Sequence, residues 1–140
     1  MLELPPILVA EDEEGDVLLL RRALRKAGIL NPLVHVVHAL DAIRYLHGDA
    51  PYGDRAQHPL PALILVDLNL PGGHGFELLT WRQAHPEFQR LPAVVLTSSE
   101  HPEDQRKARQ LGAADYLVKP TKPDALVTIV QNLHARWLAS

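Results

Sequence analysis

Four short apolar runs each stop at a polar residue. Ile7-Leu8-Val9-Ala10 runs into Glu11 and Asp12, and Leu63-Ile64-Leu65-Val66 into Asp67. Ala93-Val94-Val95-Leu96 ends at Thr97, and Tyr116-Leu117-Val118 at Lys119. Acids, a hydroxyl and an ammonium are the groups that phosphoryl chemistry needs. A carboxylate is a poor nucleophile in water but an adequate one when aligned with an activated phosphorus, and Asp67 is the candidate acceptor. Glu11 and Asp12 beside it make three carboxylates, whose repulsion reaches several kcal/mol at an intermediate dielectric. A hard divalent cation relieves it, and an all-oxygen, partly hydrated donor set suits Mg²⁺ better than Zn²⁺. Asp12 and Asp67 are then direct ligands, Glu11 binds directly or through water, and the backbone carbonyl of Asn69 completes the protein's share. Lys119 and Thr97 offer a positive charge and a hydroxyl donor to phosphoryl oxygens, where such donors act most strongly. Lys119-Pro120 is a candidate cis peptide, since an X-Pro bond directly follows a strand, or equally a trans strand stop, the commoner form of such bonds.

These groups lie far apart in the chain, so a fold must gather them. Runs of this length rich in Val, Ile and Leu read as buried parallel strands when helical patterns separate them. Leu33-Val34-His35-Val36-Val37 is a further such run. Between the runs, Glu14 to Ala27 repeats apolar residues at helical spacing up to Gly28. A second helix passes through Ala42, Ile43 and Leu46, and a third through Phe76, Leu79 and Trp81 after the loop Pro71-Gly72-Gly73-His74-Gly75. A polar helix spans about 102–111, and the last places Leu126, Ile129, Val130, Leu133 and Trp137 on one face. Gly48 to Pro61 lacks periodicity and reads as an exposed excursion. Five alternations of strand and helix predict a doubly wound α/β sheet covered on both faces. Ligands of such sheets bind outside the carboxyl ends of the strands, where all the chemical groups fall.

Composition narrows the alternatives. The 140 residues fit a single domain, 1–140. A net charge of -3 argues against a nucleic-acid or membrane-surface partner. The absence of cysteine excludes thiolate metal sites and cysteine nucleophiles. The start Met1-Leu2-Glu3-Leu4-Pro5-Pro6 has no basic n-region, so the cytoplasm is the expected location.

Ile7-Leu8-Val9-Ala10-Glu11-Asp12-Glu13, Leu65-Val66-Asp67-Leu68-Asn69-Leu70-Pro71-Gly72, Leu96-Thr97-Ser98 and Asp115-Tyr116-Leu117-Val118-Lys119-Pro120 together resemble the receiver domain of two-component response regulators. The likeness runs in order along nearly the entire chain. It implies a five-stranded parallel sheet of order 2-1-3-4-5 with five helices, a Mg²⁺-binding acid pair, and Asp67 phosphorylated by a sensor histidine kinase. Thr97 and Lys119 would read out the phosphate, and Tyr116 matches the family's switch aromatic. As Thr97 is drawn inward, Tyr116 would rotate into the space behind it and reshape the face of the fourth helix, fifth strand and fifth helix. Glu11 departs from the family's usual first Asp, lengthening that arm by one methylene. Gly15-Asp16-Val17, the 48–61 excursion and Arg136-Trp137-Leu138 resemble, more narrowly, the stand-alone receivers that serve phytochrome-type photosensor kinases. That likeness implies no output domain.

The remaining features have plainer readings. The eight histidines lack metal-ligand spacing and read as solvated or capping residues, with His35 and His38 turned to opposite faces. Arg21, Arg22, Arg25 and Lys26 form the wet face of the first helix, which in receivers commonly docks the kinase. Trp137 and Leu138 either cap the core or form a homodimer surface. A phosphatase of the haloacid dehalogenase type needs a second acid where Asn69 stands, because an amide cannot supply acid catalysis. A flavodoxin-like carrier would place a flavin phosphate against the acidic run after the first strand. An interaction module that is not phosphorylated would have no need of Asp67 and Lys119 together.

Overall fold

The computed structural model describes residues 3–71 and 74–139. Gly72 and Gly73 of the predicted loop, and Met1 and Leu2 of the N-terminal reading, lie outside the described residues. Five parallel strands, β1 (Ile7–Ala10), β2 (Leu33–Val36), β3 (Leu63–Val66), β4 (Ala93–Thr97) and β5 (Asp115–Val118), form one sheet of order β2-β1-β3-β4-β5. The connecting helices are α1 (Glu14–Lys26), α2 (Ala39–His47), α3 (Gly75–Ala84), α4 (Pro102–Gln110) and α5 (Pro123–Leu133). The order 2-1-3-4-5 is the expected one.

Side chains alternate across each strand, and this splits the core in two. Leu8, Ala10, Ile64, Val66 and Val95 face the layer of α2, α3 and α4, where Leu46, Leu78, Leu79 and Ala108 meet them. Ile7, Val9, Leu63, Leu65 and Val94 face α1 and α5, against Leu20, Leu24, Leu126, Val130 and Leu133. Burial on both faces explains why the strands read as unbroken apolar runs rather than alternating ones. α1 has Glu14 and Asp16 in its first turn and Arg25 and Lys26 in its last, the arrangement a helix dipole favours. Gly28 ends it at φ 73°.

Of the two forms left open for the Lys119–Pro120 bond, the structure has trans; the cis peptide among the described residues is Ala50–Pro51. Strand pairing continues past β5, with the Lys119 amide donating to the Thr97 carbonyl at 2.8 Å, and this extension aims the residue. Leu126, Ile129, Val130, Leu133 and Trp137 share one core-facing side of the last helix, as expected. That helix passes into a π-helical turn over His134–Leu138, and Trp137 and Leu138 pack half-buried on the α1–α5 core. The 48–61 excursion is exposed as expected but not loose. Arg55 donates to the carbonyls of Tyr45 and Leu46 at 2.8 and 2.7 Å, capping the end of α2.

Candidate active site at the carboxyl edge of the sheet

In the order 2-1-3-4-5 the chain leaves β1 for one side and returns for β3 on the other, opening a crevice between their carboxyl ends. The hydrogen-bond ladder extends one residue into it. The Glu11 amide donates to the Val36 carbonyl and the Asp67 amide to the Ala10 carbonyl, both at 3.0 Å. The acids are thus held by the sheet itself rather than by mobile loops.

Carboxylate oxygens of Glu11, Asp12 and Asp67 lie within 4.8 Å of one another; Asp12 is exposed and the other two are buried. The donor set is all oxygen with one face open to water, which fits a hard divalent cation of the Mg²⁺ kind. Thr97, fully buried, donates its hydroxyl to Asp67 Oδ1 at 2.7 Å. The Asn69 amide donates to the same oxygen at 3.2 Å. Lys119 Nζ lies 2.6 Å from Asp67 Oδ2, 2.5 Å from Glu11 Oε1 and 2.7 Å from Asp16 Oδ2.

One ammonium among so many anions leaves excess negative charge. Burial pushes the Glu11 carboxyl up to about 7, against the opposing pull of its Lys119 hydrogen bond. Burial also pushes Asp67 up, but hydrogen bonds from Lys119 and Thr97 together outweigh it and hold the carboxyl below its ordinary value. Asp67 therefore stays ionised, as a nucleophile must. Burial disfavours the charge on Lys119, yet its bonds to Asp16, Asp67 and Glu11 win and strengthen its hold on the proton.

The residue-by-residue match to a receiver now has its geometry. A profile of the response regulator receiver domain matches residues 7–131. The chain belongs to the response regulator receiver family. It is 34% identical to response regulator Rcp1 of Synechocystis over 96% of this chain and 90% of that one. The Mn²⁺-bound crystal form of Rcp1 superposes with a TM-score of 0.84 at 32% identity, covering 97% of this chain and 96% of that one. The phosphorylated cyanobacterial phytochrome response regulator RcpA gives 0.87 at 31% identity, covering 97% and 95%. A response regulator in red light signaling of R. palustris gives 0.91 at 30% identity, with the same coverage. Members of this family are phosphoryl-accepting regulators that partner with sensor histidine kinases, so the receiver stands apart from a conventional enzyme. No helix among the described residues is long and apolar enough to cross a membrane.

The structure brings Glu11, Asp12, Asp67, Thr97 and Lys119 together, and adds others. Tyr116 is buried, with its hydroxyl donating to the Ser99 carbonyl at 2.8 Å. Ser99 in turn donates to Asp104 Oδ2 at 2.6 Å, tying the end of β4 to the first turn of α4. The resemblance has Thr97 and Tyr116 turn inward on phosphorylation; here both are inward, because the Asp67 carboxylate itself accepts the Thr97 hydroxyl. The sequence reading assigned Asp16 and Gly75 no role in the site. The Asp16 signal is its spacing of four from Asp12, whereas Gly75 has none: a Cβ there would fall on the Asp67 carbonyl oxygen. His35, His38, His74 and His85 bind backbone groups, whereas His47 meets the Asp49 carboxylate. His35 Nε2 lies 2.6 Å from the Glu11 carbonyl oxygen, and His74 caps α3 by accepting from the Phe76 amide at 3.1 Å.

Proposed function

We propose that Asp67 accepts a phosphoryl group from the phosphohistidine of a sensor kinase of the phytochrome type, in a Mg²⁺-dependent transfer. The observation that carries this reading is the convergence of Lys119 and Thr97 on the two oxygens of one ionised carboxylate, beside Glu11 and Asp12. An Asp67 oxygen forms the new O–P bond while the P–N bond to the kinase histidine breaks, and its electron pair stays with the imidazole. Thr97 and Lys119 stabilise the phosphoryl oxygens. The bound cation, held by Glu11, Asp12 and Asp67 with the Asn69 carbonyl, supplies the charge neutralisation that three carboxylates and a phosphoryl group require. Self-dephosphorylation by water at the same edge returns the receiver to its starting state.

The inward Thr97–Tyr116 arrangement becomes the favoured one when Thr97 binds a phosphoryl oxygen, a population shift rather than a new fold. The phytochrome assignment is supported by the likeness to the phytochrome response regulator RcpA and to the response regulator in red light signaling. Self-association through the end of α5 belongs to the same reading. It has less apolar surface to offer than the sequence implies, since Trp137 and Leu138 already cover the core.

Acetyl phosphate with Mg²⁺ should add the mass of one phosphoryl group to the wild type and none to Asp67→Asn. Labelling of both would end the assignment of Asp67. A purified phytochrome-type kinase should label the wild type to an extent that differs between red and far-red light; labelling by acetyl phosphate alone would sink only the kinase assignment.

A further inference from the structure

The Lys119 ammonium has three protons and three carboxylate partners, of which two are spoken for. Glu11 and Asp67 belong to the trio whose oxygens converge within 4.8 Å, and Asp16 does not. A divalent cation in that trio competes with the ammonium for the same oxygens, and two positive groups on one carboxylate repel each other. The Lys119 side chain is only 16% exposed, so water offers it little in exchange. Asp16 does. It projects from the first turn of α1, where the helix dipole favours an anion, is 39% exposed, and meets Nζ at 2.7 Å.

We propose that Asp16 is a positioning residue of this site: it anchors the Lys119 ammonium on an anion that neither the cation nor the phosphoryl group recruits, and so frees Glu11 and Asp67 to bind the cation. This inference rests on the acidic trio being the cation site. Asp16 remains in place while the other two partners are recommitted. Lys119 can then swing from an Asp67 carboxylate oxygen to a phosphoryl oxygen without losing its tether.

The test is a double-mutant cycle read by calorimetric titration with MgCl₂ alone, with no phosphodonor. Asp16→Asn should weaken Mg²⁺ binding about tenfold when Lys119 is present, and no more than about threefold in the Lys119→Met background. The residual loss reflects the through-space effect of one missing charge. Asp16→Glu, which keeps the anion, should stay within about twofold of the wild type. An equal loss in both backgrounds would overturn the proposal, because Asp16 would then act as a bulk charge or as a tie between α1 and β5. If Lys119→Met fails to give a cooperative thermal melt, Lys119→Gln replaces it in the cycle. A wild type that does not bind Mg²⁺ at all would bring down the cation reading of the trio itself, a result distinct from equal losses.

Discussion

Glu11 and Asp67 are buried acids on the same ammonium, yet their protonation shifts in opposite directions. The difference is in their neighbours: Asp67 accepts from Lys119, Thr97 and Asn69, whereas Glu11 has Lys119 and the Glu13 amide. A carboxyl whose folded-state value is raised contributes stability that is fully present below its ordinary value near 4.5 and is lost as pH rises through about 7. The metal-free protein should therefore lose stability between about pH 5 and 8 through Glu11, and Glu11→Gln should flatten that slope. Asp67 acts at the other end: its contribution is complete at neutral pH and disappears as acid protonates it below its ordinary range. Thermal melts in chelator across this range check the prediction. Saturating Mg²⁺ should remove the loss, since a cation favours the ionised Glu11. A melting temperature that rises with pH in chelator would contradict the Glu11 assignment.

Two contacts between elements set where α3 sits, and both are exposed to mutation. Gly75 opens α3 against the turn after β3, its amide donating to the Leu68 carbonyl at 2.9 Å. Gly75→Ala drives a methyl group into the Asp67 carbonyl and the Leu68 Cα, so it should destabilise the fold by about 1–3 kcal/mol. It should also slow phosphorylation by acetyl phosphate, because the strain acts on the acceptor's own backbone. At the other end of α3, Arg82 is buried without a carboxylate partner among the described residues. It donates to the carbonyls of Leu91 and Gln89 at 2.7 and 2.9 Å, and reaches the Gly112 carbonyl at 3.4 Å. Arg82→Met keeps the stem and strands these carbonyls, at a cost of about 2–4 kcal/mol in urea denaturation. The Asp67 site, at the opposite end of α3, should label normally in whatever fraction remains folded.

The molecule has a phosphorylation edge and faces that must communicate with partners. Arg21, Arg22, Arg25 and Lys26 are exposed on α1, next to the helix turn that carries Asp16. Reversing Arg22 and Arg25 to Glu should slow transfer from a cognate histidine kinase at least tenfold. Labelling by acetyl phosphate should be unchanged. Equal slowing with both donors would place the defect in the site rather than in docking. On the far side, the route from Asp67 through Thr97 and Ser99 to Tyr116 and Asp104 ends at the first turn of α4. Sedimentation velocity before and after phosphorylation reads whether that face, with the end of α5, recruits a second copy. A concentration-independent monomer in both states removes the homodimer.

The strands, their direction and the cluster at their ends were legible because each rests on local pattern. A doubly covered parallel strand must be apolar throughout, and its chemical groups can stand only where it stops. Asp67, Thr97, Lys119 and the Glu11-Asp12 pair are found by that rule alone, and helix ends such as Gly28 by their punctuation. Tertiary packing decided what depends on a side chain's reach across elements. Asp16 is 103 residues from Lys119, and its spacing of four from Asp12 does not by itself tell that its carboxylate meets that ammonium. The same holds for the carbonyls that Arg82 gathers and for the methyl-sized space denied to Gly75. Periodicity assigns a residue to a face, but only the packed backbone fixes which atoms on two faces come within hydrogen-bond distance.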